Sequence, residues 1–144
     1  MQKRNLIVII AVLVLALTVA VAALLWPKTV EAPADVNLAA KGYVHISAGD
    51  QTRWFELPQE ETSMTLRRTD EAGNEISNTV ALTPEGAYMA HSTCENQDCV
   101  MQGSVTLANK GSRPLQNLVI CLPNNVIVEL YSAEEMAQLL AAQE

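Results

Sequence analysis

The sequence predicts a small, mainly β domain, a compact barrel or sandwich, closed by a short C-terminal helix and preceded by one N-terminal transmembrane helix. Three observations predict it. An uncharged apolar block fills residues 6–26, eight short strand-like runs follow between turn signals, and residues 132–144 switch to helical spacing.

The block "LIVIIAVLVLALTVAVAALLW" has Thr18 as its single polar residue. As a helix its twenty-one residues rise about 31 Å, enough to cross a bilayer's hydrocarbon layer. Lys3 and Arg4 precede it, and Trp26 and Pro27 close it at an interfacial position. Positive charge on the short side predicts a cytoplasmic tip (residues 1–4), an anchor (1–27), and the remainder outside the cell membrane as a single-pass protein. A cleaved signal peptide is the competing reading, since "AVA" and "VAA" offer small residues. The apolar run is longer than the core of such a signal. Both readings export residues 29–144.

Residues 28–40, "KTVEAPADVNLAA", read as a linker, and residues 41–131 as the β-domain. Its strand-like runs are "GYVHIS", "TRWFEL", "SMTLRR", "ISNTVAL", "AYMAHS", "SVTLA", "LVICL" and "VIVELY". Pro84 and Gly86 suit a tight turn, as do Pro123, Asn124 and Asn125 between two apolar strands, where asparagine tolerates left-handed backbone. Gly103 suits a bulge or a positive φ. In "SAEEMAQLLAAQE", Ser132 and Glu135 have capping-box spacing, and Met136, Leu139 and Leu140 share one helical face.

Sixteen acidic residues follow Trp26, against seven basic ones once Lys3 and Arg4 are taken from the chain's nine. A domain with that balance repels phosphate backbones, so no nucleic-acid partner is expected. No phosphate-cradling glycine loop, HExxH or GxSxG occurs, and no catalytic constellation or cofactor is expected.

The chemistry rests with the cysteines. Cys94 and Cys99 sit in "HSTCENQDCVMQGSV", and Cys121 in "LVICLPNNVIVEL". A metal site is the lesser reading: zinc wants four ligands, and only Cys94, Cys99 and Cys121 with His91 or His45 are on offer. Outside the cytoplasm a disulfide is the more natural fate. Cys94–Cys99 or Cys99–Cys121 would be worth roughly 2 or 3 kcal/mol by loop entropy, too close to choose between. Three is odd, and Cys121, in an apolar run, reads as a buried and inert residue. A labile redox pair across the short loop is the third reading. Glu95 and Asp98 disfavour a thiolate there.

These two segments together resemble the NusG domain II family, whose pattern runs Ser-x-Cys-Pro-x-x-x-Cys-Val-x-x-Gly and then Ile-Val-Cys-Leu-Pro-Asn-x-x-Val-Ile. Ser92, Cys94, Cys99, Val100 and Gly103 match the first part; Val119, Ile120, Cys121, Leu122, Pro123, Asn124, Val126 and Ile127 fall on the second. The family's proline after the first cysteine is Glu95 here, and "TLANKGSRPLQN" is longer than the usual glycine turn, so a protruding hairpin is expected. The resemblance implies an all-β domain, carried in bacteria on a single N-terminal helix. It transfers no catalytic residue. Joining two distant segments in one signature implies that the three sulfurs meet at one end of the domain, with Cys121 the most buried. The functional expectation is a membrane-tethered extracytoplasmic binding or accessory module, serving another membrane or exported protein. The alternatives are a thiol/disulfide accessory of an exported electron-transfer or flavoprotein system, and a metal-binding domain.

Overall fold

All eight expected strands form. In a computed structural model, which describes residues 12–19, 21, 31–37 and 39–143, they are β1 (Gly42–Ala48), β2 (Gln51–Glu56), β3 (Thr62–Thr69), β4 (Glu75–Thr83), β5 (Gly86–Ser92), β6 (Val105–Thr106), β7 (Leu118–Cys121) and β8 (Val126–Ser132). Helix α1 (Asp98–Met101) lies between β5 and β6, and α2 (Ala133–Ala141) ends the domain.

The strands make two antiparallel four-stranded sheets, ordered β2-β1-β8-β7 and β3-β4-β5-β6. Of the two architectures expected, the closed barrel is therefore not formed. One apolar core lies between the sheets. Val44, Ile46, Val126, Val128 and Leu130 come from the first sheet, and Val80, Leu82, Ala87, Met89 and Val105 from the second. Their every-other-residue spacing is what aims them to one side. The other face of β1 is buried too: Tyr43 lies there, with α2 packed over β1 and β8 and Met136 fully enclosed. The capping box forms as the spacing predicts, Glu135 N–H donating to Ser132 Oγ at 3.2 Å and Ser132 N–H to Glu135 Oε2 at 2.7 Å.

Two compact units divide the chain, Met1–Glu31 and Ala32–Glu144. The second takes in the end of the 28–40 segment, where the Tyr43 hydroxyl donates to the Asn37 carbonyl. In the first unit, residues 12–19 and 21 are helical. Most of the 6–26 block, and with it the expected transmembrane span, lies outside the described residues. Among the described residues no helix is long and apolar enough to cross a membrane.

The expected hairpin at "TLANKGSRPLQN" does not form. β6 pairs with β5 and β7 with β8, so this segment crosses from one sheet to the other. Asn109 shapes it: Oδ1 accepts from Thr106 N–H at 2.8 Å, and Nδ2 donates to the Ser104 carbonyl at 3.1 Å. Arg113 then fastens it by donating to the carbonyls of Leu118 and Gln102 at 2.8 and 3.0 Å.

Candidate functional site

A single irregularity in β5 creates the floor of the site. Val80 pairs with Met89 but Thr79 with His91, so Ala90 is an extra residue and the strand's inward phase slips by one. Met89 and Ser92 point into the core, while Ala90 and His91 face out. His91 is thereby removed from the sulfurs it was a candidate to join. The other candidate, His45, sits across β1 from the shared core and meets Glu129 Oε2 through Nδ1 at 2.7 Å. Neither histidine belongs to the cysteine cluster.

The three cysteines do converge. Their sulfurs all lie within 4.8 Å of one another, and among the described residues no histidine or carboxylate joins them. Cys94 follows β5, Cys99 rides on α1, and Cys121 ends β7. Exposure is 4 %, 1 % and 1 % respectively, so Cys121 shares the deepest position with Cys99 rather than holding it alone. Cys94 Sγ and Cys99 Sγ stand 3.4 Å apart, against about 2.05 Å for a bonded pair, and all three thiols are free. The disulfide expected on compartment grounds is thus not formed in this structure.

Around the sulfurs lies a polar cradle that sequence reading found only in part. Asn124, at the β7–β8 turn, donates through Nδ2 to Asn78 Oδ1 at 2.8 Å and to Ser92 Oγ at 3.2 Å. Asn78, on β4, donates to Ser92 Oγ at 3.1 Å, and so does the Cys94 backbone N–H at 3.1 Å. With its lone pairs engaged by these N–H donors, the Ser92 hydroxyl has its own hydrogen left for Cys121 Sγ, 3.5 Å away. Gln97 holds the α1 end. Its backbone is left-handed (φ 55°), and its amide donates to the Ser92 carbonyl at 2.8 Å, to the Cys94 carbonyl, and to Cys94 Sγ at 3.9 Å. Gln102 bridges to β7 with a matched pair, donating to the Ile120 carbonyl at 2.7 Å and accepting from Ile120 N–H at 2.8 Å.

Asn78, Gln97 and Gln102 were missed by the sequence reading. The asparagine interrupts the apolar alternation of "ISNTVAL", which is the one signal that pointed to it. Asn124, Pro123, Leu122 and Gly103 were legible. Gly103 has the positive φ expected (68°), and Asn125 takes the left-handed turn position (46°).

The thiols are not equivalent. Burial pushes Cys99 up to about 12, and its contacts with Cys94 and Cys121 add to this against an opposing hydrogen bond from Ser92. Burial acts on Cys121 in the same direction, but hydrogen bonds from Ser92, Asn78, the Asn124 backbone N–H and Cys99 outweigh it and hold this thiol below its ordinary value. The residue read as inert is the one whose thiolate the surroundings favour.

Beside the sulfurs a cleft of about 190 Å³ is lined by Asp98, Cys99, Leu115, Cys121, Leu122 and Pro123, among others. The sequence pattern of NusG domain II matches residues 6–134. The chain belongs to the NusG domain II family. Among solved structures, the Lin0431 protein of Listeria innocua, in its solution structure, is similar over 67 % of this chain and 77 % of that one, at 20 % identity and a TM-score of 0.50. DUF1312 family proteins of Enterococcus faecalis and Ruminococcus gnavus align over 63 % of this chain and 97 % and 99 % of theirs, at 14 % and 18 % identity and TM-scores of 0.47 and 0.41. At these identities the likeness to Lin0431 concerns the fold. No curated protein matches the chain.

Proposed function

We propose that this NusG domain II protein is a membrane-tethered module that acts on the outer face of the cell membrane by binding another membrane or exported protein, without catalysis of its own. The apolar block and its basic N-terminal flank support the tether and its orientation, and the family match, which starts at residue 6, takes that block in. The acidic balance argues against nucleic acid. The observation that carries the binding reading is the apolar rim at the thiol end. Leu122 and Leu115, which line the cleft, are 81 % and 38 % exposed, and Met101, on the helix that supplies Cys99, is 71 % exposed. Large apolar side chains grouped in this way are a common mark of an interaction surface.

Cross-linking in native membranes followed by pull-down tests it. The parent chain should bring down a stoichiometric companion that Leu122→Asp loses. Recovery of the parent alone would overturn the reading.

One observation favours a second reading, a thiol/disulfide accessory of an exported electron-transfer system. The Cys94 and Cys99 sulfurs need to close by only roughly 1.4 Å to bond. Closure would release two protons and pass two electrons to an exported flavin- or quinone-linked oxidant. Intact mass and alkylation before and after mild reductant decide it: a pair that stays free under oxidant, or locked under reductant, ends the redox reading.

A further inference from the structure

We propose that Cys94, Cys99 and Cys121 form a three-thiolate site for a soft monovalent cation, Cu(I). The donor set is sulfur alone, which selects soft metals over those that prefer carboxylate or imidazole. It is also a set of three. A structural zinc site is closed by four ligands, and the bulge at Ala90 has turned away the one histidine that adjoins the loop. Trigonal Cu(I) needs no fourth.

The size of the triangle agrees. A metal about 2.3 Å from each of three sulfurs holds them roughly 3.8–4.0 Å apart. Here one edge is 3.4 Å and no edge exceeds 4.8 Å, so a small adjustment suffices. All three sulfurs belong to the apolar core with Met89, Val119 and Val126, a setting that limits solvent access to a bound metal. Outer donors are already in place for anionic sulfur. The Ser92 hydroxyl is oriented at Cys121 by the N–H groups that occupy its lone pairs, and the Gln97 amide lies 3.9 Å from Cys94 Sγ. The cleft that reaches Cys99 and Cys121 supplies an entry path, with Asp98 on its wall. On binding, the thiols give up their protons to solvent, and the copper stays Cu(I) throughout.

The test is an anaerobic titration of the reduced full-length protein, in detergent, with Cu(I) in competition with bathocuproine disulfonate. One equivalent should leave the chelator, with a sulfur-to-copper absorption band in the ultraviolet and X-ray absorption showing three sulfurs around the metal. Cys121→Ser should weaken binding by about 100-fold or more. Ser92→Ala, which keeps every sulfur, should weaken it about 10-fold. Circular dichroism of each variant separates loss of the ligand from loss of the fold. Should Cys121→Ser fail to fold, Ser92→Ala and the sulfur count on the parent decide. Copper left with the chelator, a two-sulfur coordination shell, Cys121→Ser binding as tightly as the parent, or Zn(II) displacing Cu(I) at equal concentration would each overturn the proposal.

Discussion

Asn124 Nδ2 donates to Asn78 Oδ1 at 2.8 Å, and this bond joins the β7–β8 turn of one sheet to β4 of the other through the buried end of the core. Among the described residues no buried side-chain polar atom lacks a partner, so the bridge is fully satisfied as built. Asn124→Ala removes the donor to Asn78 Oδ1 and the donor to Ser92 Oγ at once. Leaving buried groups unpaired costs about 1–3 kcal/mol each way, so a loss of about 2–3 kcal/mol is expected in urea unfolding. A loss below about 0.5 kcal/mol would show that the bridge adds nothing to stability.

Two glycines separate steric from conformational demands. A Cβ on Gly86 would lie 1.9 Å from the Val105 carbonyl oxygen, where β5 and β6 pair. Gly86→Ala must push backbone apart and should destabilise by about 3 kcal/mol or more. At Gly103 nothing lies within 4 Å, but φ is 68°. Gly103→Ala should cost only about 1–2 kcal/mol, from the left-handed backbone alone. Thermal unfolding of the two variants side by side checks the order, and equal effects would contradict it.

Acid should loosen α2 before the sheets. Partial burial alone would raise the Glu135 carboxyl, but the Lys110 ammonium and the Ser132 backbone N–H outweigh it and hold the group below its ordinary value. A carboxyl depressed in the folded state contributes stability above the unfolded value of about 4.3, and loses it as pH falls through the lower folded one. Lys110→Met should flatten that acid limb of a stability–pH curve. Ser132→Ala, which removes the N-cap acceptor, should lower stability by about 1 kcal/mol. An unchanged acid limb in Lys110→Met would discount the ion pair.

Thiol reagents should report the burial directly. With exposures of 4 % or less, none of the three cysteines of the reduced, folded chain should react with Ellman's reagent on the time scale of the denatured chain, in which all three react. Rapid labelling of Cys94 in the folded state would mean that the loop opens far more readily than its hydrogen bonds to Gln97 imply.

The strands and the closing helix could be read from the sequence because each is encoded locally, by alternation in "GYVHIS" or by the Ser132/Glu135 spacing. The convergence of the sulfurs was reached through the resemblance, which ties two segments together across the chain. Three things were not legible. Whether eight strands close into a barrel depends on pairings between distant strands, which no local period records. The course of residues 106–117 turns on Asn109 and Arg113 finding backbone carbonyls, a matter of tertiary position. The role of Cys121 depends on donors from β4 and β5, so an apolar run around it gave the opposite impression. At Glu95, where the family has proline, the short helix α1 and left-handed Gln97 give the loop its form.

The extra residue at Ala90 makes β5 a strand with two phases. Upstream of it the odd-numbered positions face the core, and downstream the even-numbered ones do. The hydrocarbon body and the sulfur end are therefore written in different frames of the same strand. Pairing Ala90 itself with Thr79 would smooth the bulge, leave Ala87 and Met89 where they are, and set His91 rather than Ser92 opposite Asn78, an imidazole in place of a hydroxyl facing the cysteines. A change of chemistry at this end of the molecule thus needs no redesign of the sheet that carries it, only a shift of one peptide unit.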